Sequence, residues 1–224
     1  FDLAEAATRM GGATPLFVQI SDTHIGFNKE TNSDVAGTLK QTLALIGAMP
    51  VKPALTLHTG DITHLSKAAE FDAAAQLMPA LGSGEVHTVP GEHDVTDGIG
   101  TEYFNRFGRM SNGKGYYSFD QAGVHFIGLN NVMSFKPGGL GSLGSDQMAW
   151  LERDLKAQRT STPIVVFAHI PLWNVYEPWG WGTGDGAQAV QLLRRFGSVT
   201  ILNDFTLMAA NDLASLDDKV YDTS

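Results

Sequence analysis

Leu16 to His24 reads LFVQISDTH, a strand-length apolar run that breaks directly into Ser21, Asp22, Thr23 and His24. The same event recurs downstream: Leu55 to Asp61 is LTLHTGD, Val86 to Asp94 is VHTVPGEHD, and Val165 to His169 is VVFAH. Each run is short, β-branched and apolar, as expected of a strand buried on both faces. Each ends in Asp, His, Glu or a Gly-Asp pair. Parallel strands present their carboxyl ends along one edge of a sheet, where open α/β sheets bind ligands, so these four clusters are expected to converge.

Working outward, further strands are expected at Val124 to Leu129 and Val199 to Leu202, with helical patterns between the runs. Ser33 or Asp34 can cap a helix carrying Val35, Leu39, Leu43 and Ile46 on one face, ended by Pro50. Ser66 precedes a second helix, Ser145 opens a third and Gly186 precedes a fourth. Tyr116 to Phe119 and Val124 to Leu129 flank Asp120, Gln121, Ala122 and Gly123, which reads as a hairpin. The alternation with one hairpin implies an α/β layered fold with a mixed sheet or two sheets.

The 224 residues are 43% hydrophobic, enough for one substantial core, and no Pro- or Ser-rich linker divides them. With no cysteine, disulfides, thiolate metal sites and thiol nucleophiles are excluded, so any metal is held by nitrogen and oxygen. A net charge of -9 disfavours long nucleic acid as a partner. No apolar run approaches the roughly 20 residues of a membrane-spanning helix. Phe1 to Pro15 lacks the layout of a signal peptide, so a processed or trimmed start is expected.

A lone Asp-X-His or Gly-Asp is ordinary turn chemistry, but four such clusters in order at strand ends gather several carboxylates and histidines. That mixture is costly unless a cation neutralises it, and divalent metals take such ligands. At these residues the chain resembles the calcineurin-like metallophosphoesterases, whose blocks are Asp-X-His, Gly-Asp, Gly-Asn-His-Asp/Glu, a lone His and Gly-His-X-His. The wording QISDTHIGF, LHTGDITHLS, VPGEHD, GVHFIGL and FAHIPLW is similar to a bacterial branch of that family.

The resemblance, over about residues 16–203, implies a layered αββα sandwich and two divalent ions, manganese, iron or zinc. It implies that Asp22 and His24 bind the first ion, Asp61 bridges both, and Glu92 and His169 bind the second. His93 is implied as the acid or charge stabiliser beside the phosphoryl group, oriented by Asp94. The implied reaction is hydrolysis of small phosphomonoesters or phosphodiesters by a metal-activated hydroxide. A periplasmic or exported setting is implied by resemblance alone. His64 can line the pocket or donate to phosphate, and the aromatic cluster Trp173, Tyr176, Trp179 and Trp181 can wall it around a leaving group, although packed roles explain both equally well or better.

The chain departs from the family pattern twice. Glu92 stands where the family usually has Asn, exchanging an amide acceptor for a carboxylate. After Asn203 the chain reads Asp204, Phe205, Thr206, Leu207, so both histidines of Gly-His-X-His are missing. Asp204 can in principle substitute for one histidine, but its position corresponds better to the family's glycine. The expected organisation is an N-terminal extension over 1–15, the domain over 16–203, and an atypical, helical tail over 204–224. On this reading the second sheet is incomplete and its open edge can drive homo-oligomerisation. The alternative to an enzyme is a catalytically impaired phosphoesterase-like binding or interaction protein.

Overall fold

The computed structural model describes residues 17–81, 85–134, 140–174, 181–204 and 207–209. A three-stranded parallel sheet is built from β1 (Phe17–Ile20), β2 (Leu55–His58) and β3 (Glu85–Thr88), in the order β1-β2-β3. A five-stranded sheet contains β4 (Tyr117–Gln121), β5 (Val124–Gly128), β7 (Ile164–Phe167), β9 (Val199–Leu202) and β10 (Leu207–Ala209), in the order β10-β9-β7-β5-β4. Strands β5, β7 and β9 run parallel, whereas β4 and β10 are antiparallel edge strands. A short parallel pair, β6 (Leu140–Gly141) with β8 (Gly182–Thr183), lies apart from both sheets.

Among the described residues the α-helices are α1 (Val35–Gly47), α2 (Ala68–Leu77), α3 (Thr101–Phe107), α4 (Gly144–Lys156) and α5 (Gly186–Leu193). The central strand β7 is apolar throughout because it serves two cores. In β7, Val165 and Phe167 face the first sheet, where they pack with Leu55, Leu57, Phe126 and Leu202. Their neighbours Ile164 and Val166 point the other way, onto Leu151 and Leu155 of α4 and Leu193 of α5. The alternation follows from side chains pointing to opposite faces of a strand. A third core, under Leu39, Leu43, Phe71 and Tyr103, joins α1, α2 and α3 to the first sheet. The result is the αββα sandwich that the resemblance implied.

Local signals explain most boundaries. Asp34 caps α1 by accepting from Gly37 N–H at 2.9 Å, satisfying a donor that the first helical turn leaves open. The hairpin turns on Ala122 and Gly123, both at positive φ, which suits the twist of a two-residue loop. Helix α3 has no counterpart in the sequence reading. It is only 7 residues long, too short for a periodic signal, and Asp97 fixes its start by accepting from the N–H groups of Ile99, Gly100 and Thr101.

One expectation about the C-terminal segment is corrected over three residues. Residues 204–224 were expected to be helical, but Leu207–Ala209 pairs antiparallel with β9 as β10. β10 is thus the edge strand of the second sheet on that side. The remainder of that tail and the 1–15 extension lie outside the described residues.

His125, buried in β5, ties the hairpin to α4. Its Nδ1 lies 2.7 Å from Asp120 Oδ1 and its Nε2 lies 2.8 Å from Asp154 Oδ2. Burial alone would lower the imidazole pKa, but the Asp154 and Asp120 carboxylates outweigh it and hold the value above the ordinary one. The stability this supplies is complete below the unfolded pKa of about 6.5 and disappears as pH rises through the raised folded value. Asp154→Asn is expected to destabilise the fold by about 1.5 to 3 kcal/mol near pH 6 and by less at higher pH, read from denaturant midpoints.

Candidate metal centre

The carboxyl ends of both sheets meet at one place. Asp22 and His24 follow β1, Asp61 follows β2, Glu92 and His93 follow β3, His169 follows β7 and Asp204 follows β9. Beyond β1 and β2 the two loops remain zipped together: Thr59 N–H donates to Ile20 O, Asp22 N–H to Gly60 O and His24 N–H to Asp61 O, at 2.9 to 3.0 Å. To make these bonds Asp22, His24 and Asp61 adopt positive φ of 54°, 41° and 52°. A left-handed conformation costs an L-residue about 1 to 2 kcal/mol, strain of the kind that collects at functional sites.

Two glycines make room. A Cβ on Gly60, whose φ is +109°, would stand 2.6 Å from His169 Nδ1, and a Cβ on Gly91 would stand 2.0 Å from Asp61 Oδ1. The glycines preceding Asp61 and Glu92 are thus needed for close approach across the site as well as for the turn.

Asp61 is buried at the centre with its two oxygens facing opposite ways. Oδ2 lies 3.4 Å from His24 Nε2, whereas Oδ1 lies 3.7 Å from His169 Nε2 and accepts the His93 backbone N–H at 2.9 Å. His24 Nε2 is also 3.6 Å from Asp22 Oδ1. On the far side His169 Nε2 stands 2.8 Å from Glu92 Oε2. The five residues predicted as ligands are therefore brought together.

Neighbouring groups orient them. His169 Nδ1 donates to Thr59 O at 2.9 Å, which turns Nε2 toward the carboxylates. His58 is fully buried and its pKa is pushed down to about 3 by burial, so the ring is neutral. It accepts from Gly60 N–H through Nδ1 at 3.3 Å and reaches Thr23 Oγ1 through Nε2 at 3.1 Å. Gln19, a polar residue inside an apolar strand, joins the sheets by donating to Thr59 Oγ1 and Asn203 O, both at 3.1 Å. The sequence reading missed Gln19, although an amide in the middle of FVQI was its available signal. Asn131, three residues beyond β5, is buried and clamps the loop after His169 by donating to Ile170 O at 2.6 Å and to Thr183 Oγ1 at 2.8 Å.

Two predicted roles change. His93 was expected to be oriented by Asp94, but its ring Nδ1 donates instead to His64 O at 2.7 Å. Asp94 accepts from the N–H groups of Ile62, Thr63 and Gly91 and from Thr63 Oγ1, so it holds loops rather than the imidazole. In the expected aromatic wall, Trp173 packs against the core beneath α4 and α5, Trp181 is half-buried just before β8, and Tyr176 and Trp179 lie outside the described residues. His64 does adjoin the site, stacked on His93 with ring centres 5.1 Å apart and with its Nδ1 3.5 Å from His24 Nδ1.

The charges are mutually dependent. Burial, aided by Glu92 and Asp94, raises the Asp61 pKa to about 7 against the pull of His169. Burial alone would depress His169, but Glu92, Asp61 and Asp22 hold it up at about 10. Burial and the adjoining Asp22 carboxylate raise Asp204 to about 7. A divalent cation would supply positive charge to this set. The donors fit one: carboxylate oxygens and imidazole nitrogens from Asp22, His24 and Asp61 lie within 4.8 Å of one another, as do those of Asp61, Glu92 and His93. Glu92 Oε2 is partly buried and is paired with His169 Nε2 at 2.8 Å.

Comparison with known proteins agrees with this geometry. The chain is 26% identical over 162 residues to a probable glycerophosphodiester phosphodiesterase, GpdQ, of Arcobacter nitrofigilis, covering 70% of this chain and 57% of that protein. It is 34% identical over 131 residues to the human serine/threonine-protein phosphatase CPPED1, covering 58% of this chain and 38% of that protein. The chain thus spans about half the length of these relatives or less. A dimetal phosphatase from Danio rerio superposes with a TM-score of 0.66 over 83% of this chain and 80% of that one, at 14% identity, a likeness of fold. The family model for calcineurin-like phosphoesterases matches residues 15–201, and the chain belongs to that family.

Proposed function

We propose that this chain hydrolyses small phosphate monoesters or diesters at a two-ion centre. The observation that carries the reading is Asp61, whose opposed oxygens face His24 on one side and His169 on the other. On this assignment Asp22, His24 and Asp61 hold one ion, and Asp61, Glu92 and His169 hold the second. When bound, two divalent ions supply Lewis acidity, activation of the attacking water and neutralisation of phosphoryl charge.

The remaining chemistry belongs to side chains. His93 is held through Nδ1 by the His64 carbonyl, so Nε2 is the atom free to carry a proton to the leaving oxygen. His24 packs edge-on against His93 with ring centres 4.8 Å apart, and His64 stacks on its other neighbour side, so the three imidazoles form one polar wall. A cavity of about 480 Å³ opens from Asp22, His24 and His64 and is lined by Ile20, Phe27, Val35 and Leu39 with Asn32 and Thr38. Its described lining holds no lysine or arginine, which suits an uncharged leaving group rather than a second phosphate.

Asp61→Asn is expected to lose both bound metal and hydrolysis of p-nitrophenyl and bis-p-nitrophenyl phosphate. His93→Ala is expected to keep metal stoichiometry while kcat falls about a hundredfold to ten-thousandfold. A wild-type chain that binds ions and hydrolyses neither ester would favour the binding-protein alternative. Val35→Trp, which fills the cavity from the first turn of α1, is expected to raise KM for the aryl esters about tenfold with metal content unchanged.

A further inference from the structure

The family pattern ends in two histidines that this chain lacks, yet the position just beyond β9 is not vacated by polar groups. We propose that Asp204 is a metal ligand, completing with Asp22 and His169 the coordination that the last histidine block would otherwise supply. The proposal rests on the two-ion reading above and concerns the same centre.

Three observations support it. The backbone at Asp204 is fixed from both sheets: its N–H donates to His169 O at 3.1 Å, and the preceding Asn203 carbonyl accepts from Gln19 Nε2 at 3.1 Å. The carboxylate is thereby delivered to the site, where one donor atom each from Asp22, His169 and Asp204 lies within 4.8 Å of the others. Across the same imidazole, Glu92 Oε2 stands 2.8 Å from His169 Nε2, so this one ring has carboxylates of Glu92, Asp22 and Asp204 around it. A carboxylate facing another carboxylate at hydrogen-bond range is held apart by repulsion unless a proton or a cation lies between them.

The substitution also has a chemical consequence. Replacing an imidazole nitrogen by a carboxylate oxygen makes the donor set of Asp22, Asp61, Glu92 and Asp204, with His24 and His169, richer in hard oxygen ligands. Such a set favours manganese, relative to zinc, more than the histidine-richer family pattern does.

The test is calorimetric titration of the full chain with MnCl2 and with ZnCl2, and cobalt absorption spectra of the same proteins. Asp204→Asn and Asp204→Ala are expected to lose at least about tenfold in Mn2+ affinity, more than in Zn2+ affinity, with circular dichroism unchanged. Their Co2+ complexes are expected to show a changed d–d band, because a ligand has been removed. Asp204→His is expected to restore affinity with the preference moved toward Zn2+. Unchanged affinity and spectrum in both Asn and Ala variants, with Asp61→Asn still abolishing binding, would overturn ligation by Asp204 and leave the two-ion reading standing. A drop in affinity with an unchanged cobalt spectrum would overturn it too, assigning Asp204 a long-range charge effect only. A wild-type chain that binds neither ion would overturn both readings.

Discussion

One buried carboxylate organises the centre. Asp94 is fully enclosed and accepts four hydrogen bonds, from the N–H groups of Ile62, Thr63 and Gly91 and from the Thr63 hydroxyl, at 2.8 to 3.1 Å. These bonds pin the loop after β2 to the loop after β3. Without them, three buried backbone donors would lack partners, at about 1 to 3 kcal/mol each. With them, Gly91 is pressed so closely on Asp61 that only a glycine fits, and the His93 N–H reaches Asp61 Oδ1. The hydrogen bonds of Asp94 thus help fix where the central carboxylate sits.

The second sheet is registered on the first by fewer bonds, most of them at the same edge. His169 Nδ1 meets the Thr59 carbonyl, and the Gln19 amide meets both Thr59 and the Asn203 carbonyl. Between the sheets most of the contact is apolar and non-directional, through residues such as Leu57, Phe126 and Phe167, and the Tyr117 hydroxyl of β4 adds one bond to the Thr88 carbonyl of β3 at 3.0 Å. Apolar packing sets the layer spacing, whereas the polar bonds at the rim decide which residues from the two sheets meet. The donor groups thus come from both halves of the sandwich and are positioned to within hydrogen-bond tolerance.

The cost of that convergence is electrostatic and conformational. Asp61 and Asp204 are pushed toward neutrality and His169 toward the cation, while Asp22, His24 and Asp61 sit in left-handed backbone conformations. A fold selected for stability alone would replace these with apolar residues and glycine. Strain and buried charge gathered at one sheet edge are of the kind that collects at functional sites.

Among the described residues, the sequence by itself determined β1 to β5, β7 and β9 and four of the five α-helices, because apolar periodicity and the breaks that end it are local signals. It placed Asp22, His24, Asp61, Glu92 and His169 at or beyond strand ends, and the family resemblance implied their role as ligands. It also determined that the last histidine block is missing. Only the tertiary structure decided what each polar group faces. It moved the orientation of His93 from Asp94 to the His64 carbonyl, packed Trp173 into the core, paired Leu207–Ala209 with β9, and brought Asp204 beside Asp22. Those outcomes depend on groups far apart in the chain: residues 19 and 203, or 59 and 169, meet only after both sheets have stacked. A one-dimensional pattern specifies which edge a residue occupies; the partner across that edge is set by sheet registration, and that is a property of the packed fold.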